Sequence, residues 1–275
     1  MSRTDLPVCR HLVQQAGWNQ SEADWLRTMK LEPNGCFMAE KEGIPVATAT
    51  TCCFEKCAWI AMVLVDTAFR NRGIAKQMLL HAMDYLERKG VTTIRLDATV
   101  LGQGLYKKLG FEEEYEVTRF VREPESGKAT SSYFQKPIDE EVMRDIMKLD
   151  RHATGVDRAM LLHSVVGQGS PFFYLNNGKK MVEGYAFTRE GASAIQIGPA
   201  IAANADAGRH ILDQMASQLQ GRRIFVDIPS QNVPAVHWAE ANDFVKQRTF
   251  VRMCRGERIQ DIVEFIWASS GPEKG

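Results

Sequence analysis

The sequence lacks a surplus of charge of either sign. Its 34 Lys and Arg residues are balanced by 34 Asp and Glu residues, so the formal net charge is zero. This balance argues against bulk electrostatic binding to nucleic acid or to an anionic membrane. No stretch approaches the roughly 20 consecutive apolar residues that a membrane span needs, and the N-terminus has no apolar signal core. We therefore expect a cytoplasmic protein with neither a nucleic-acid nor a membrane partner.

Cysteine is also scarce. Six residues in 275 are too few for a disulfide scaffold and fit a reducing compartment. Three of them, Cys52, Cys53 and Cys57, lie close together, but no CxxC pair or neighbouring His completes a metal-ligand set. The six histidines show no metal-binding spacing either. The sequence therefore predicts no metal, and the clustered cysteines are expected to be small apolar residues on a buried strand.

The length of 275 residues is enough for one large domain or two modest ones. Residues 123–138 are rich in Pro, Ser, Gly and charge, which is typical of a linker. This segment separates residues 1–122 from residues 139–275, and each piece is long enough to bury a core. We predict two domains with these boundaries.

The two pieces share one order of patterns. In each, a hairpin and an apolar strand precede an amphipathic helix, a strand, a short helix and a closing strand. Asp97 aligns with Asp227 at an offset of 130 residues, and Phe111 aligns with Phe244 at an offset of 133. Such constant spacing indicates an internal duplication. The predicted class is α+β (of the α/β three-layer type), with each copy a mixed twisted sheet flanked by helices.

The loop that connects the apolar strand AWIAMVLVD to the long helix is the most informative segment. It reads Arg70-Asn71-Arg72-Gly73-Ile74-Ala75-Lys76. Unpaired N–H groups and the positive end of the helix dipole meet there, the glycine permits close approach, and three basic side chains add charge. These features favour a pyrophosphate site, whereas an isolated helix start with solvated arginines would favour no ligand.

The context of this loop decides between the two interpretations. The pattern R-x-x-G-x-A between an apolar strand and an amphipathic helix resembles the coenzyme A loop of the GNAT superfamily of N-acetyltransferases. About 30 residues later, LYKKLGF resembles the second signature of that superfamily, although Thr99 stands where the family often has Asn. The phrases AGWNQ, LDAT and LGQGLY further resemble a branch with two tandem domains.

The resemblance implies transfer of an acetyl group from acetyl-CoA to a primary amine by direct attack in a ternary complex. Backbone N–H groups from Arg70 to Lys76 would hold the pyrophosphate. The strand end would hold the pantetheine through Met62, Val63, Leu64 and Val65, and one of these backbone groups would polarise the thioester carbonyl. Tyr106 would donate a proton to the departing thiolate.

The general base is less clear from the sequence. Asp97 lies in the middle of a strand that should be buried, where an isolated carboxylate is costly without a partner. It could be the base, it could bind the ammonium group of the substrate, or it could be structural, and its duplicate Asp227 favours the structural role. Trp18, Asn19 and Gln20 are weaker candidates on the substrate side.

The second copy lacks the residues that carry the chemistry. In the aligned positions, Ala202, Asn204, Ala205 and Gly208 replace Arg70, Arg72, Gly73 and Lys76, and Ala239 replaces Tyr106. Asp206 adds a negative charge that would repel a pyrophosphate. We therefore expect one acetyl-CoA site per chain, with the second domain serving as a lid, a dimerisation surface or part of the acceptor pocket.

Several alternatives remain open at this point. We expect a small-molecule amine acceptor, but a non-catalytic acyl-CoA-binding sensor or scaffold and a protein N-acetyltransferase are both compatible with the motifs. The clustered cysteines also leave a covalent acyl-cysteine route conceivable. The chain could be a monomer or a homodimer.

Overall fold

The computed structural model describes residues 1–124, 138–166, 171–178 and 181–275, so most of the predicted linker lies outside the described residues. The helices of the described chain are α1 (Leu6–Ala16), α2 (Glu22–Leu31), α3 (Ile74–Arg88), α4 (Val100–Lys108), α5 (Glu140–Thr154), α6 (Ala159–Val166), α7 (Ala205–Gln218) and α8 (Val233–Ala241). Its strands are β1 (Cys36–Lys41), β2 (Ile44–Phe54), β3 (Cys57–Val65), β4 (Thr93–Ala98), β5 (Glu112–Arg122), β6 (Phe172–Asn176), β7 (Val182–Glu190), β8 (Ile195–Ala202), β9 (Ile224–Pro229), β10 (Val245–Gly256) and β11 (Ile266–Ala268). Single 3-10 turns cover Arg3–Asp5, Thr67–Phe69 and Val263–Phe265.

All described strands belong to one sheet. Its order is β1-β2-β3-β4-β10-β5-β9-β8-β7-β6, and β11 pairs with β8 beside this path. The order is symmetric about its centre. The first half of the chain, up to the predicted linker, supplies β1 to β4 on one side, and the second half, after it, supplies β9 to β6 on the other. At the centre the closing strands have changed places, so that β10 lies next to β4 and β5 lies next to β9.

Each exchanged strand carries an arginine to a buried aspartate of the other half. In the register of β10 against β4, Arg252 lies opposite Asp97, and in the register of β5 against β9, Arg119 lies opposite Asp227. Arg252 donates from Nε and Nη2 to the two carboxylate oxygens at 2.9 and 3.1 Å. Arg119 does the same to Asp227, at 2.7 Å in both cases. All four side chains are at most 3% exposed.

The helices cover this sheet through apolar faces that the sequence periodicity predicts. On α3, Leu79, Ala82 and Leu86 recur at helical spacing and are fully buried against the first half of the sheet. On α7, Ile211, Leu212 and Met215 do the same for the second half. The predicted class, a mixed sheet flanked by helices, is thus confirmed.

A third apolar cluster connects the two halves. It combines Cys52, Cys57 and Trp59 of the first half with residues of α5, α6, β6 and β7 of the second. The two cysteines therefore pack as apolar residues, as their position on a predicted buried strand indicated. Among the residues that the structure describes, no helix is long and apolar enough to cross a membrane.

The buried ion pairs between the two halves should affect the free energy of unfolding. Asp227→Leu or Arg119→Met alone should lower the free energy of unfolding by about 3–5 kcal/mol, because each leaves one buried charge without its partner. The double variant should recover most of that loss, since an apolar pair of similar volume needs no compensating charge. Urea denaturation of the wild type, both single variants and the double variant measures this coupling.

Arg222→Ala is the matched control. Arg222 pairs with Glu190 at 2.9 Å, but the two side chains are 39% and 58% exposed. Breaking this solvated pair should cost less than about 1 kcal/mol. If the double variant instead loses the sum of both single losses, the buried pairs are not coupled in the way proposed.

Candidate functional site

A cavity lies where β3 and β4 separate. The parallel pairing of these strands runs only from Cys57–Thr93 to Trp59–Arg95, so beyond Trp59 the strands diverge. Backbone N–H and C=O groups of β3 that face β4 are left available for a ligand along this divergence. The cavity is lined on one side by residues 60–63 of β3 and on the other by Leu96, Asp97, Thr99 and Tyr106.

A β-bulge shapes the β3 wall of the cavity. Thr50 pairs with Ala61 and Thr48 with Leu64, so two residues of β3 stand opposite one residue of β2. Met62, in the bulge, has a φ of +50°. The Thr48 hydroxyl donates to the Met62 carbonyl at 2.9 Å, and the Thr50 hydroxyl donates to the Ala61 carbonyl at 3.3 Å. Two buried threonines thus hold this backbone from the side away from the cavity.

Of the four residues predicted to hold pantetheine, two line the cavity and two do not. Met62 and Val63 line the cavity. Leu64 and Val65 lie further along β3, opposite Thr48 and Ala47 of β2, and do not line it.

The predicted pyrophosphate loop lies at the start of α3, as the sequence indicated. Gly73 precedes the helix with a φ of +78°, and Asn71 has a φ of +61°. A Cβ at Gly73 would meet no heavy atom within 4 Å, so the space in front of the helix is open. Since Gln77 makes the first bond into the helix, to the Gly73 carbonyl at 3.1 Å, the N–H groups of Ile74, Ala75 and Lys76 precede the helical ladder.

The two arginines of the loop fold back onto the chain. Arg70 donates to the Val65 carbonyl at 3.1 Å, and Arg72 donates to the Ala68 carbonyl at 3.0 Å. Both side chains are solvent-exposed. They hold the loop against the end of β3 and keep positive charge beside the free N–H groups.

Tyr106 lies on α4 with its ring against the cavity. The ring packs edge-on to Phe111 at a centroid distance of 5.9 Å. A Cβ at Gly102 would lie 2.6 Å from the ring, so only a glycine one turn earlier leaves room for it. Burial raises the pKa of Tyr106 to about 12, and no described residue hydrogen-bonds its hydroxyl. The phenol is therefore protonated at neutral pH and available to donate.

Asp97 also lines the cavity, but both of its oxygens accept from Arg252. Burial raises the pKa of this carboxyl, and Arg252 opposes the shift. Asp227 has the corresponding arrangement with Arg119 in the copy that lacks the loop motif. This geometry favours the structural role among the three that the sequence left open.

The second half contributes residues that sequence reasoning missed. Arg248 and Phe250 of β10, together with Pro272 and Glu273, complete the cavity wall. Arg248 and Phe250 enter the site because β10 has crossed into the first half, whereas Pro272 and Glu273 follow β11, and no local motif marks any of the four. Glu273 forms an ion pair with Arg189 at 2.8 Å, and both side chains are 3% exposed.

The N-terminal candidates have separate roles. Trp18 and Gln20 line the cavity. Asn19 instead bonds the backbone of the second half, donating to the Ala194 carbonyl at 3.0 Å and accepting from the Ser193 N–H at 2.9 Å. It therefore fastens the N-terminal segment to the second half.

The corresponding groove of the second half is filled by the chain itself. There β8 and β9 pair only from Ile195 to Ile197, and β11 then pairs with β8 at Ala200 and Ile201. The Ser269 N–H donates to the Asp227 carbonyl at 2.8 Å, which joins this segment to β9.

Trp267 closes the same groove at the start of α7. A Cβ at Gly208, the position aligned with Lys76, would lie 1.8 Å from the indole. Asn204 caps α7 by accepting from the Ala207 N–H at 2.9 Å. A backbone and a side chain thus occupy the second half where the first half has open space.

The cysteines offer no activated thiol. Burial raises the pKa of Cys53 and of Cys57 to about 12, which disfavours the thiolate that acyl transfer through sulfur needs. No cysteine lines the cavity. Within the described ranges, no group of three or more His, Cys, Asp or Glu side chains is arranged to hold a metal ion.

Comparisons with known proteins agree with this architecture. A model of the Acetyltransferase (GNAT) family matches residues 6–111, and a model of an Acetyltransferase (GNAT) domain matches residues 146–268. The chain is 24% identical over 227 residues to YitH of Bacillus subtilis, named an uncharacterized N-acetyltransferase, covering 80% of this chain and 78% of that one. It is 28% identical over 116 residues to the ribosomal protein bS18-alanine N-acetyltransferase of Escherichia coli, covering 41% of this chain and 78% of that enzyme.

A solved structure shares the fold along the whole chain. This crystal structure of a proposed acetyltransferase from Pyrococcus horikoshii superposes with a TM-score of 0.84 at 24% identity, covering all of this chain (100%) and 94% of the other. The two matched family stretches fall in the two halves of the duplication, one on each side of the predicted linker. The protein therefore belongs to the GNAT superfamily of acetyltransferases, as an enzyme with two tandem domains.

Proposed function

We propose that the first half transfers an acetyl group from acetyl-CoA to the primary amine of a small molecule. The observation that carries this proposal is the cavity between β3 and β4, which brings the bulged backbone at Met62 together with the Tyr106 phenol. A carbonyl-polarising backbone and a protonated acid in one cavity are what acyl transfer from a thioester needs.

The loop before α3 fits the pyrophosphate of acetyl-CoA. Its N–H groups from Ile74 to Lys76 lie ahead of the helical ladder, and Gly73 leaves open space in front of them. Arg70, Arg72 and Lys76 add positive charge at the positive end of the helix dipole. In the second half, Trp267 and β11 occupy the equivalent groove, which supports one acetyl-CoA per chain.

The chemistry proceeds by direct attack in a ternary complex. The neutral amine nitrogen attacks the thioester carbonyl carbon, a bond forms between nitrogen and carbon, and the carbon–sulfur bond breaks. Tyr106 donates its phenolic proton to the departing sulfur, and the nitrogen loses a proton that restores the phenol through solvent. Because Arg252 holds both oxygens of Asp97, we propose that Asp97 fixes β10 beside β4 rather than acting as the base.

A small acceptor is supported by the cover over the cavity. Arg248, Phe250, Pro272 and Glu273 close its second-half side, which leaves less room for a large acceptor. The similarity of the first half to an enzyme named for acetylating the alanine of a ribosomal protein favours a protein N-terminus as the second candidate.

A screen for release of CoA thiol tests the proposal. Purified full-length protein and acetyl-CoA should give amine-dependent thiol release with one class among simple amines, polyamines, amino acids, amino sugars and short peptides. Peptide-only turnover would establish the second candidate instead. Tight acetyl-CoA binding without turnover on any amine would indicate a sensor and contradict acetyl transfer.

Gly73→Asp tests the loop. The carboxylate should repel the pyrophosphate and weaken acetyl-CoA binding by more than about 100-fold, measured by isothermal titration calorimetry. Gly73→Ala is the matched control, since it carries a left-handed backbone strain of about 1–2 kcal/mol, at least as large as that of Asp, without the charge. The wild type should bind one acetyl-CoA per chain. Two equivalent sites, or equal affinities for the two variants, would contradict the assignment.

Tyr106→Phe tests the acid. Removing the hydroxyl while keeping the ring against Phe111 should lower kcat by about 100-fold or more, with little change in the KM for acetyl-CoA. Because the pKa of Tyr106 is about 12, the wild-type kcat should not fall between about pH 7 and pH 10. Tyr174→Phe, in the second half, is the control. A kcat for Tyr106→Phe within about threefold of wild type would remove the phenol from the mechanism.

A further inference from the structure

Arg248 is the charged residue of the cavity that has no direct partner of opposite charge in the described chain. It lies on β10 directly opposite Arg119 of β5, half-buried, and it lines the cavity. No described residue makes an ion pair or a hydrogen bond with its guanidinium.

The other charges that line the cavity are already neutralised. Asp97 is held by Arg252, and Glu273 is paired with Arg189. Arg119 and Asp227 neutralise each other through two hydrogen bonds, and Asp227 makes no hydrogen bond or ion pair with Arg248, although its charge attracts Arg248 from a greater distance. The cavity therefore carries one positive charge without a direct partner.

The arrangement is unfavourable without an anion. Like charges directly opposite each other on adjacent strands destabilise the pair, and a half-buried guanidinium loses hydration that nothing replaces. Burial and the neighbouring Arg119 lower the pKa of Arg248, and the attraction of Asp227 only partly opposes this shift. A bound anion would relieve both costs.

We propose that the acceptor is a small amine that also bears a carboxylate, and that Arg248 binds this carboxylate. The assignment rests on the proposed acetyl transfer and adds the class of acceptor to it. A planar carboxylate matches the guanidinium fork with two parallel hydrogen bonds.

The geometry also limits the length of the acceptor. Val251 pairs with Ala98 at the end of β4, and Arg248 lies three residues further along β10. At about 3.3 Å per residue, this separates the two positions by about 10 Å along the strand. Phe250 lies between them on the same face as Arg248 and lines the cavity, which gives an apolar wall. Short ω-amino acids match this span better than α-amino acids, whose amine and carboxylate are attached to one carbon.

The test compares amines that differ only in the carboxylate. Each amino acid is assayed beside its carboxamide, and each ω-amino acid beside the alkylamine of equal length, with CoA thiol release as the readout. The wild type should prefer the carboxylated member of a pair by about 10- to 100-fold in kcat/KM, as expected for a bidentate charge-assisted contact.

Arg248→Met should reduce this preference to less than about threefold, mainly by raising the KM for the acceptor, while the KM for acetyl-CoA stays unchanged. Arg248→Lys should restore part of it. Lys246→Met is the control on the same strand, because Lys246 is 64% exposed and pairs with Glu240 at the surface. Its preference should equal that of the wild type.

The possible results separate the two proposals. Turnover without preference for the carboxylate, or a raised KM for acetyl-CoA in Arg248→Met, overturns the role of Arg248 but leaves acetyl transfer standing. Aminoalkyl phosphonates that surpass the matched carboxylates also overturn it, since they would assign the site to tetrahedral anions. Absence of turnover with every amine overturns acetyl transfer itself, and the acceptor assignment with it.

Discussion

Two reciprocal salt bridges across the centre of the sheet determine which half each closing strand joins. Arg252 reaches Asp97 from β10, and Arg119 reaches Asp227 from β5, so each half neutralises a charge buried in the other. A buried carboxylate without its partner costs several kcal/mol, which penalises any arrangement in which the closing strands stay in their own halves. This constraint places β10 between β4 and β5. The cavity owes Arg248 and Phe250 to that placement.

The same framework supports two different grooves. Where β3 and β4 diverge, the first half has a bulged backbone, an open helix start and a protonated tyrosine. Where β8 and β9 diverge, β11 and Trp267 fill the space. The chain segment that blocks the second groove continues to Glu273, which lines the first cavity. One stretch of chain thus closes one site and completes the other.

Much of the first site could be predicted from the sequence because its signals are local. The glycine and basic residues before α3, the periodicity of that helix and Tyr106 before a Gly-Phe turn all fall within short windows. The duplicated aspartates also pointed to a structural role, which their ion pairs favour. The exchange of strands could not be predicted in this way, because alternating and apolar patterns are the same whichever half a strand joins. Arg248 and Glu273 were missed for the same reason, since each reaches the cavity across more than a hundred residues of sequence.

The exchange also governs the order in which the protein can be completed during its synthesis. Asp97 meets Arg252 across 155 residues, so the first half leaves the ribosome before the strand that finally lies between β4 and β5 has been made. At about 5–20 residues per second, the synthesis of the chain between these two residues takes on the order of ten seconds. A transferase site whose motifs are encoded early in the message is therefore finished only when residues near its end have been made.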